Sequence, residues 1–250
     1  MKTYNNRVYR QRFRSDRWYG FVAKYKETDV WIGVDKKSFR REMPKFSEQF
    51  IRVLRDESDA YLKKDPQYRL SLIPHIAQNS APKILQEMSE VSVRTGVGPM
   101  AAVAGAFSSH VAIELKKHFK IEEIIVENGG DIYVDIQNDI DVAIFAGESP
   151  LSEKIGLRID AKESPLGICT SSGTVGPSFS FGKADAVMIA CKDAALADAY
   201  ASVFANKIQT SEDINPVLQQ IEYEKDILSA LIVKNEKLGI IGQFEMVLFE

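Results

Sequence analysis

The distribution of apolar and polar residues near the start of the chain predicts two paired strands. Residues 18–25 and 30–34 are rich in aromatic and β-branched side chains, and the polar stretch Lys26-Glu27-Thr28-Asp29 separates them. Runs of this kind around a short polar turn are typical of a β-hairpin.

The pattern then changes to the three-to-four-residue spacing of helices. From Pro44 to about Lys64, apolar side chains recur along one stripe, and an Asp-Pro pair follows the stripe. Helices are also predicted at 83–93 and 99–119. The second of these begins with many small residues, which allow another backbone to approach closely.

The rest of the chain is richer in strands. Runs of β-branched residues bounded by turn residues predict a series of strands, then two helices, then more strands within 227–249. The first series lies at 121–127, 131–136, 140–146, 154–160, 166–171 and 185–192, with an exposed hairpin at 137–139, and the helices lie at 194–206 and 212–224. No linker rich in Pro, Gly or Ser divides the chain, so we expect one α+β domain over residues 1–250, with internal halves at about 1–120 and 121–250.

Composition is that of a chain able to bury a large core. Of the 250 residues, 45% are hydrophobic, and a net charge of −3 gives no overall attraction for nucleic acid. Cys169 and Cys191 lie in strand-like apolar runs and are expected to be buried, reduced thiols; two cysteines are too few for a four-cysteine zinc site. The chain has no apolar leader and no run of about 18 apolar residues, so we expect a cytoplasmic protein without a membrane span.

Basic residues are concentrated at the N-terminus. Arg10, Arg12 and Arg14 alternate with other residues at the two-residue period of a half-exposed strand. One interpretation is a docking surface for an acidic or phosphate-bearing partner. The other, which we favour, is a solvated strand whose charges discourage edge pairing.

One helix carries a pair of oxygen donors. Asp198 and Ser202 are four residues apart in a segment of small residues that follows an apolar strand, so both side chains lie on one helix face. A carboxylate and a hydroxyl are hard ligands suited to Mg²⁺, which takes few carboxylates and completes its shell with water and phosphate oxygens. The pair is also consistent with an ordinary solvated helix face.

Two glycine-containing turns accompany this pair. Asn128-Gly129-Gly130-Asp131 interrupts a strand pattern, and its glycines allow positive φ or a close backbone approach. The stretch Thr170-Ser171-Ser172-Gly173 is dense in hydroxyl groups. Neither is a P-loop or a Rossmann glycine motif, and a serine nucleophile would lack its Gly-x-Ser-x-Gly elbow.

Taken in order, these three motifs resemble the ApbE superfamily, whose best-known members are FAD:protein FMN transferases, and more closely its shorter ApbE-like branch. The resemblance covers about residues 95–205. It implies tandem T-fold-like halves with mostly antiparallel sheets and packed helices.

The resemblance also implies residue roles. Asp198 and Ser202 stand where the family holds its metal, expected to be Mg²⁺, with Ser202 in place of a threonine. The two turns stand where the family binds FAD, FMN or a similar nucleotide. The residues concerned are Asn128, Gly129, Gly130 and Asp131 in the first turn, and Thr170, Ser171, Ser172 and Gly173 in the second.

Two hypotheses follow from the resemblance. In the first, the protein is a metal-dependent flavin transferase or pyrophosphatase that acts on a flavin dinucleotide and an acceptor protein. In the second, it binds the nucleotide without transfer or serves as an interaction module. The Asp198/Ser202 pair favours the first. The second is favoured because the family's His-Ile-x-Asp-Pro segment is replaced by residues 177–183, and because its helix-start lysine is absent from residues 103–107. Homo-oligomerisation and the choice between Mg²⁺ and Mn²⁺ stay open.

Overall fold

The computed structural model describes residues 16–174 and 180–249. The basic segment containing Arg10, Arg12 and Arg14 lies outside the described residues, as do residues 177–179 of the interval 177–183. Within them, the chain folds into a large antiparallel sheet with helices on one face and a small sheet on the other.

In the part of the chain that the structure describes, eight strands form the large sheet, in the order β1-β2-β3-β4-β7-β8-β9-β10, and every neighbouring pair is antiparallel. The predicted N-terminal hairpin is its first pair, with Tyr25 opposite Thr28. The strands are β1 Trp18–Tyr25, β2 Thr28–Asp35, β3 Ile124–Asn128, β4 Asp131–Asp135, β7 Leu166–Ser171, β8 Ala186–Cys191, β9 Ile227–Lys234 and β10 Lys237–Gly242.

Three further strands form the small sheet, in the order β11-β6-β5. They are β5 Ile140–Ala143, β6 Ile155–Ile159 and β11 Glu245–Leu248. The hairpin expected at 137–139 is wrong, because β4 pairs with β3 and β7 whereas β5 pairs with β6 in the other sheet.

Within residues 16–174 and 180–249, six α-helices cover the face opposite the small sheet. They are α1 Met43–Lys64, α2 Pro66–Leu70, α3 Lys83–Thr95, α4 Val103–His118, α5 Ala194–Lys207 and α6 Ile214–Ile221. The predicted stripe of α1 is buried through residues such as Ile51, Leu54 and Tyr61. Gly96, with a φ of 78°, ends α3 in the left-handed conformation that favours glycine.

Two predicted helices begin later than their sequence pattern suggested. Residues Pro99–Ala102 form a 3₁₀ turn before α4, and Ser211–Asp213 form one before α6. Both turns tighten the chain ahead of a buried helix, which is a common use of 3₁₀ geometry. The short helix α2 was not predicted; Asp65 caps it by accepting a hydrogen bond from Tyr68 N.

The core has three parts. One packs α3, α4, α5 and α6 on β7, β8 and β9, a second packs α1 and α4 on β1 to β4, and the third fills the space between the two sheets. Because β8 is covered on both faces, all its residues are buried, which explains its continuous apolar sequence. The expected α+β class with antiparallel sheets is confirmed.

The large sheet runs without interruption across the boundary expected near residue 120, since β2 and β3 are neighbours in it. A division into two halves stays a prediction. Among the described residues, no single helix is long and apolar enough to cross a membrane; Lys83–Thr95 and Pro99–His118 reach that length only as a pair bent by 107°.

Candidate functional site

The first glycine turn is a two-residue connection between β3 and β4. Asn128 pairs with Asp131, and Gly129 and Gly130 have φ values of 72° and 107°. Positive φ at both central residues matches the twist of the flanking strands. Glu127 is fully buried and stabilises the turn, because its Oε1 accepts a hydrogen bond of 2.9 Å from Gly130 N.

This turn packs against the first turn of α4. Asn128 Nδ2 donates to the carbonyl oxygen of Ala104 at 3.3 Å. The hydroxyl of Ser108 lies 3.0 Å from the carbonyl oxygens of both Ala104 and Asp131, and it can donate to either. The start of α4 therefore has a fixed position relative to Asp131.

The second turn meets the first at the end of β7. Thr170 N donates to Asp131 Oδ1 at 3.3 Å. Beyond it, Gly173 N donates to the carbonyl oxygen of Ala184 at 2.9 Å, and a Cβ on Gly173 would lie 2.1 Å from the carbonyl oxygen of Gly182. The hydroxyl-rich turn is thus held closely by the chain that leads into β8.

Asp198 lies in the second turn of α5 and is 9% exposed. Its Oδ2 accepts hydrogen bonds from Ala104 N at 3.0 Å and Gly105 N at 2.9 Å. These amides belong to the first turn of α4, which has no capping side chain of its own. Asp198 therefore caps α4 from another helix, where the positive end of the helix dipole favours a carboxylate.

Close contact between the two helices depends on Gly105. A Cβ at this position would lie 2.1 Å from the carbonyl oxygen of Ala194 and 3.0 Å from Asp198 Cβ. The small residues at the start of α4 thus serve helix packing, and their packing brings the Asp198 carboxylate to the α4 amides.

The carboxyl groups of Asp131 and Asp198 interact electrostatically. Burial raises the pKa of Asp198 to about 7, although the two α4 amides oppose the shift. Burial, and then the negative charge of Asp198, raise the pKa of Asp131 well above its usual value. Two buried carboxylates that repel each other favour a proton or a cation at the site.

Cys169 borders the same pair. It is completely buried, and Sγ donates to the carbonyl oxygen of Ala194 at 3.3 Å. Burial and the two carboxylates raise the pKa of its thiol, which keeps it protonated. Cys191 is also buried and free, so the expectation of two buried, reduced thiols is confirmed.

Ser202 follows Asp198 by one helical turn and is half-buried. Across residues 16–174 and 180–249, no three His, Cys, Asp or Glu side chains are arranged to hold a metal ion. The candidate metal donors here are few, and they are oxygens because the Cys169 thiol stays protonated. Such a set fits an Mg²⁺ ion that takes most of its ligands from water and a bound phosphate.

The structure brings together Asn128, Asp131, Thr170 and Asp198, but sequence reasoning missed several of their supports. Gly173 lies farther along the second turn, against Gly182 and Ala184. Glu127, Ser108 and Gly105 hold the turn and the helix start in place. The available signal for Glu127 was an acidic residue at the end of an apolar strand, one position before Asn128-Gly129-Gly130. A separate cleft of about 120 Å³ lies among α3, α4 and the start of α5, and none of the predicted ligand residues lines it.

Comparison with known proteins covers nearly the whole chain. The sequence model of a family described as AbpE bacteria matches residues 10–235. A UPF0280 protein of Methanocaldococcus jannaschii is 34% identical over 231 residues, 90% of this chain and 91% of that protein. A UPF0280 protein of Methanococcus vannielii is 37% identical over 223 residues, 87% of this chain and 88% of the relative.

Solved structures share the fold at low sequence identity. The flavin transferase ApbE from Vibrio cholerae aligns with a TM-score of 0.62 and 11% identity, over 90% of this chain and 96% of that one. The flavinyl transferase ApbE of Pseudomonas stutzeri, in its apo form, aligns with a TM-score of 0.59 and 11% identity, over 91% and 94% of the two chains.

Proposed function

This chain belongs to the family described as AbpE bacteria, and from that premise we propose that it binds a flavin nucleotide together with a divalent metal ion. The observation that carries the proposal is the convergence of the Asn128–Asp131 turn, the end of β7 and the Asp198 carboxylate at the start of α4.

Asp198 and Ser202 are the proposed metal ligands. Asp198 Oδ2 already accepts hydrogen bonds from two backbone amides of α4, so the carboxylate is held in a fixed orientation. When bound, Mg²⁺ would neutralise negative charge on the phosphates of the nucleotide. The pKa of Asp131 is raised well above its usual value by burial and by the charge of Asp198, so this carboxyl would give up its proton and add a second negative charge only when a cation binds beside it.

The two turns are the proposed nucleotide cradle. Gly129 and Gly130 present backbone without a side chain, which permits close approach of a phosphate or a flat ring. Thr170, Ser171 and Ser172 are half-buried residues with hydroxyl groups that can donate to oxygens of the ligand. The walls are rigid because each turn is hydrogen-bonded to a neighbouring element.

A second candidate function is binding without transfer. In the described part of the chain, each of the three histidines is engaged away from the site: two are hydrogen-bonded to carboxylates and one stacks on a phenylalanine. The titratable groups at the site are the buried carboxyls and the Cys169 thiol. The raised pKa of Asp198 would suit a general base, but the proposal assigns this carboxylate to the metal ion, and no histidine of the described residues lies at the site to take its place.

Binding is tested by calorimetry and thermal melts with FAD, FMN and ADP, each with and without Mg²⁺. The key variant is Asp198→Asn, because the amide oxygen can still cap α4 while the charge is removed. We expect the wild-type melting temperature to rise with FAD plus Mg²⁺ and that rise to be lost in Asp198→Asn.

The matched control is Glu57→Gln, which removes a carboxylate from an exposed position on α1. This control should respond to ligand as wild type does. An undiminished ligand-induced rise in Asp198→Asn would remove Asp198 from the site. No rise with any nucleotide in the wild type would refute nucleotide binding itself.

Transfer and binding alone are separated by product analysis. Incubation with FAD and Mg²⁺ is followed by chromatography for AMP and FMN, with and without a candidate acceptor protein. Release of AMP that Asp198→Asn abolishes supports the enzyme. Ligand-dependent stabilisation without any release of AMP supports the binding protein.

A further inference from the structure

Four exposed aliphatic residues are concentrated in residues 70–76, which begin with the last residue of α2. Leu70, Leu72, Ile73 and Ile76 are exposed by 69%, 61%, 71% and 74%. We call residues 70–76 the apolar loop. Single exposed aliphatic residues are ordinary on a protein surface, but four within seven positions form a patch.

The apolar loop is held rigidly on the protein. Tyr68, just before it, is completely buried and donates through its hydroxyl to the carbonyl oxygen of Leu85 at 2.6 Å. Just after it, Ala77 N donates to Ser89 Oγ at 2.9 Å. Both ends are therefore fixed to the helical layer, and the aliphatic side chains point outward from an ordered backbone.

A further contact fixes the middle of the loop. Gly98 N donates to the carbonyl oxygen of Leu72 at 3.0 Å, and a Cβ on Gly98 would lie 1.9 Å from the carbonyl oxygen of Ser71. Gly98 directly precedes the 3₁₀ turn that leads into α4, the helix capped by Asp198. The apolar loop and the candidate ligand site are thus attached to one continuous element.

The loop has a cationic flank. Lys63, Lys64 and Arg69 are exposed, and none of them forms an ion pair or a hydrogen bond within residues 16–174 and 180–249. Asp65 is the acidic residue within the stretch 60–78, and it is hydrogen-bonded to His75 Nε2 at 2.9 Å and to Tyr68 N. The region around the loop is therefore basic in a chain whose net charge is −3.

We propose that the apolar loop docks on an anionic lipid surface, with its aliphatic side chains at the acyl boundary and the cationic flank at the headgroups. Exposed aliphatic residues combined with unpaired Lys and Arg are the two signals that peripheral membrane binding requires. A second copy of the chain is a poorer occupant, because a two-fold contact would bring these like charges together. This inference is independent of the proposed nucleotide binding.

Vesicle flotation tests the proposal, with vesicles of phosphatidylcholine alone or mixed with phosphatidylglycerol. We expect binding to the mixed vesicles, weakened by salt. The double variant Ile73→Ser/Ile76→Ser should lose at least about tenfold in affinity. Lys63→Gln/Lys64→Gln should lose about fivefold for each charge removed.

The matched controls change the same residue types elsewhere on the surface. Val53→Ser/Ile113→Ser removes two exposed aliphatic side chains, and Lys37→Gln/Lys45→Gln removes two exposed charges. Both should bind as wild type does, and all variants should melt as wild type does, because every changed side chain is exposed.

A direct readout uses a single introduced thiol. Both native cysteines are buried, so Ile73→Cys can be labelled selectively with an environment-sensitive fluorophore. Mixed vesicles should shift its emission to the blue, whereas the label on Ile113→Cys should not respond. The proposal would be overturned if the protein did not bind the mixed vesicles, or if the control variants lost as much vesicle affinity as the loop variants. A wild-type dimer that dissociates in Ile73→Ser/Ile76→Ser would overturn it too, in favour of a second copy.

Discussion

At the scale of single residues, Asp198 has two roles that arise from one location. It caps the first turn of α4 through two backbone amides, and its charge lies buried beside Asp131. The capping role could be met by any short oxygen acceptor. The charge is unfavourable in the unliganded protein, which suggests a role beyond the cap.

The raised pKa of Asp198 predicts how stability depends on pH. An unfolded aspartate titrates near 3.9, whereas the folded group titrates at about 7. Between these values the folded state binds more protons than the unfolded state, so this group's contribution to stability is fully present below about pH 4 and declines as the pH rises to about 7.

Urea unfolding of the metal-free protein at several pH values, in parallel with Asp198→Asn, measures this contribution. As the pH rises from about 4 to 7, the wild type should lose stability relative to Asp198→Asn, so the unfolding free energy of the variant minus that of the wild type should increase. Carboxylates with lowered pKa, such as Asp35 and Glu123, act in the opposite direction in both proteins and cancel in the difference. A pH-independent difference would contradict the buried charge.

At the scale of elements, the β3–β4 turn shows why its two glycines are not equivalent. Gly129 has a φ of 72°, in the left-handed region that Asn also adopts. Gly130 has a φ of 107°, outside the region that Asn tolerates. The backbone geometry, rather than lack of space, fixes glycine at residue 130, since a Cβ there would meet Thr170 O only at 3.9 Å.

We therefore expect Gly130→Ala to lower the free energy of unfolding by about 1–2 kcal/mol through backbone strain. Gly129→Asn serves as the matched control in the same turn and should lower the free energy of unfolding by less than half as much. Chemical denaturation of the two variants measures the contrast. Equal losses in both would mean that the turn does not have the described geometry.

At the scale of the whole molecule, the candidate site is assembled from distant parts of the chain. β4, β7, α4 and α5 each supply one wall, and hydrogen bonds between the walls fix their relative positions. The chain provides few metal donors at this meeting point. A divalent ion there would depend on oxygens from the nucleotide to complete its coordination.

Metal and nucleotide should accordingly bind cooperatively. Calorimetry should show tighter Mg²⁺ binding in the presence of FAD or ADP than in its absence, and by linkage tighter nucleotide binding with Mg²⁺. Titration of each ligand into protein saturated with the other measures both sides of the relation. Mg²⁺ affinity that is unchanged by every nucleotide would show that the two do not share a site.

The sequence by itself determined the local features and the family. The hairpin of β1 and β2, the buried stripe of α1 and the β3–β4 turn follow from residue spacing and turn chemistry, which act over a few positions. The order of three short motifs was enough to indicate the ApbE-like family, which the family match confirmed.

Only the tertiary structure decided which elements meet. The sequence could not show that β5 leaves β4 for the small sheet, or that Asp198 lies beside Asp131 and caps α4. Strand partners and the burial of a charge depend on contacts between residues far apart in the chain, so short-range patterns carry no record of them. Spacing placed Asp198 and Ser202 on one face of α5, and packing at Gly105 brought that face to the α4 amides.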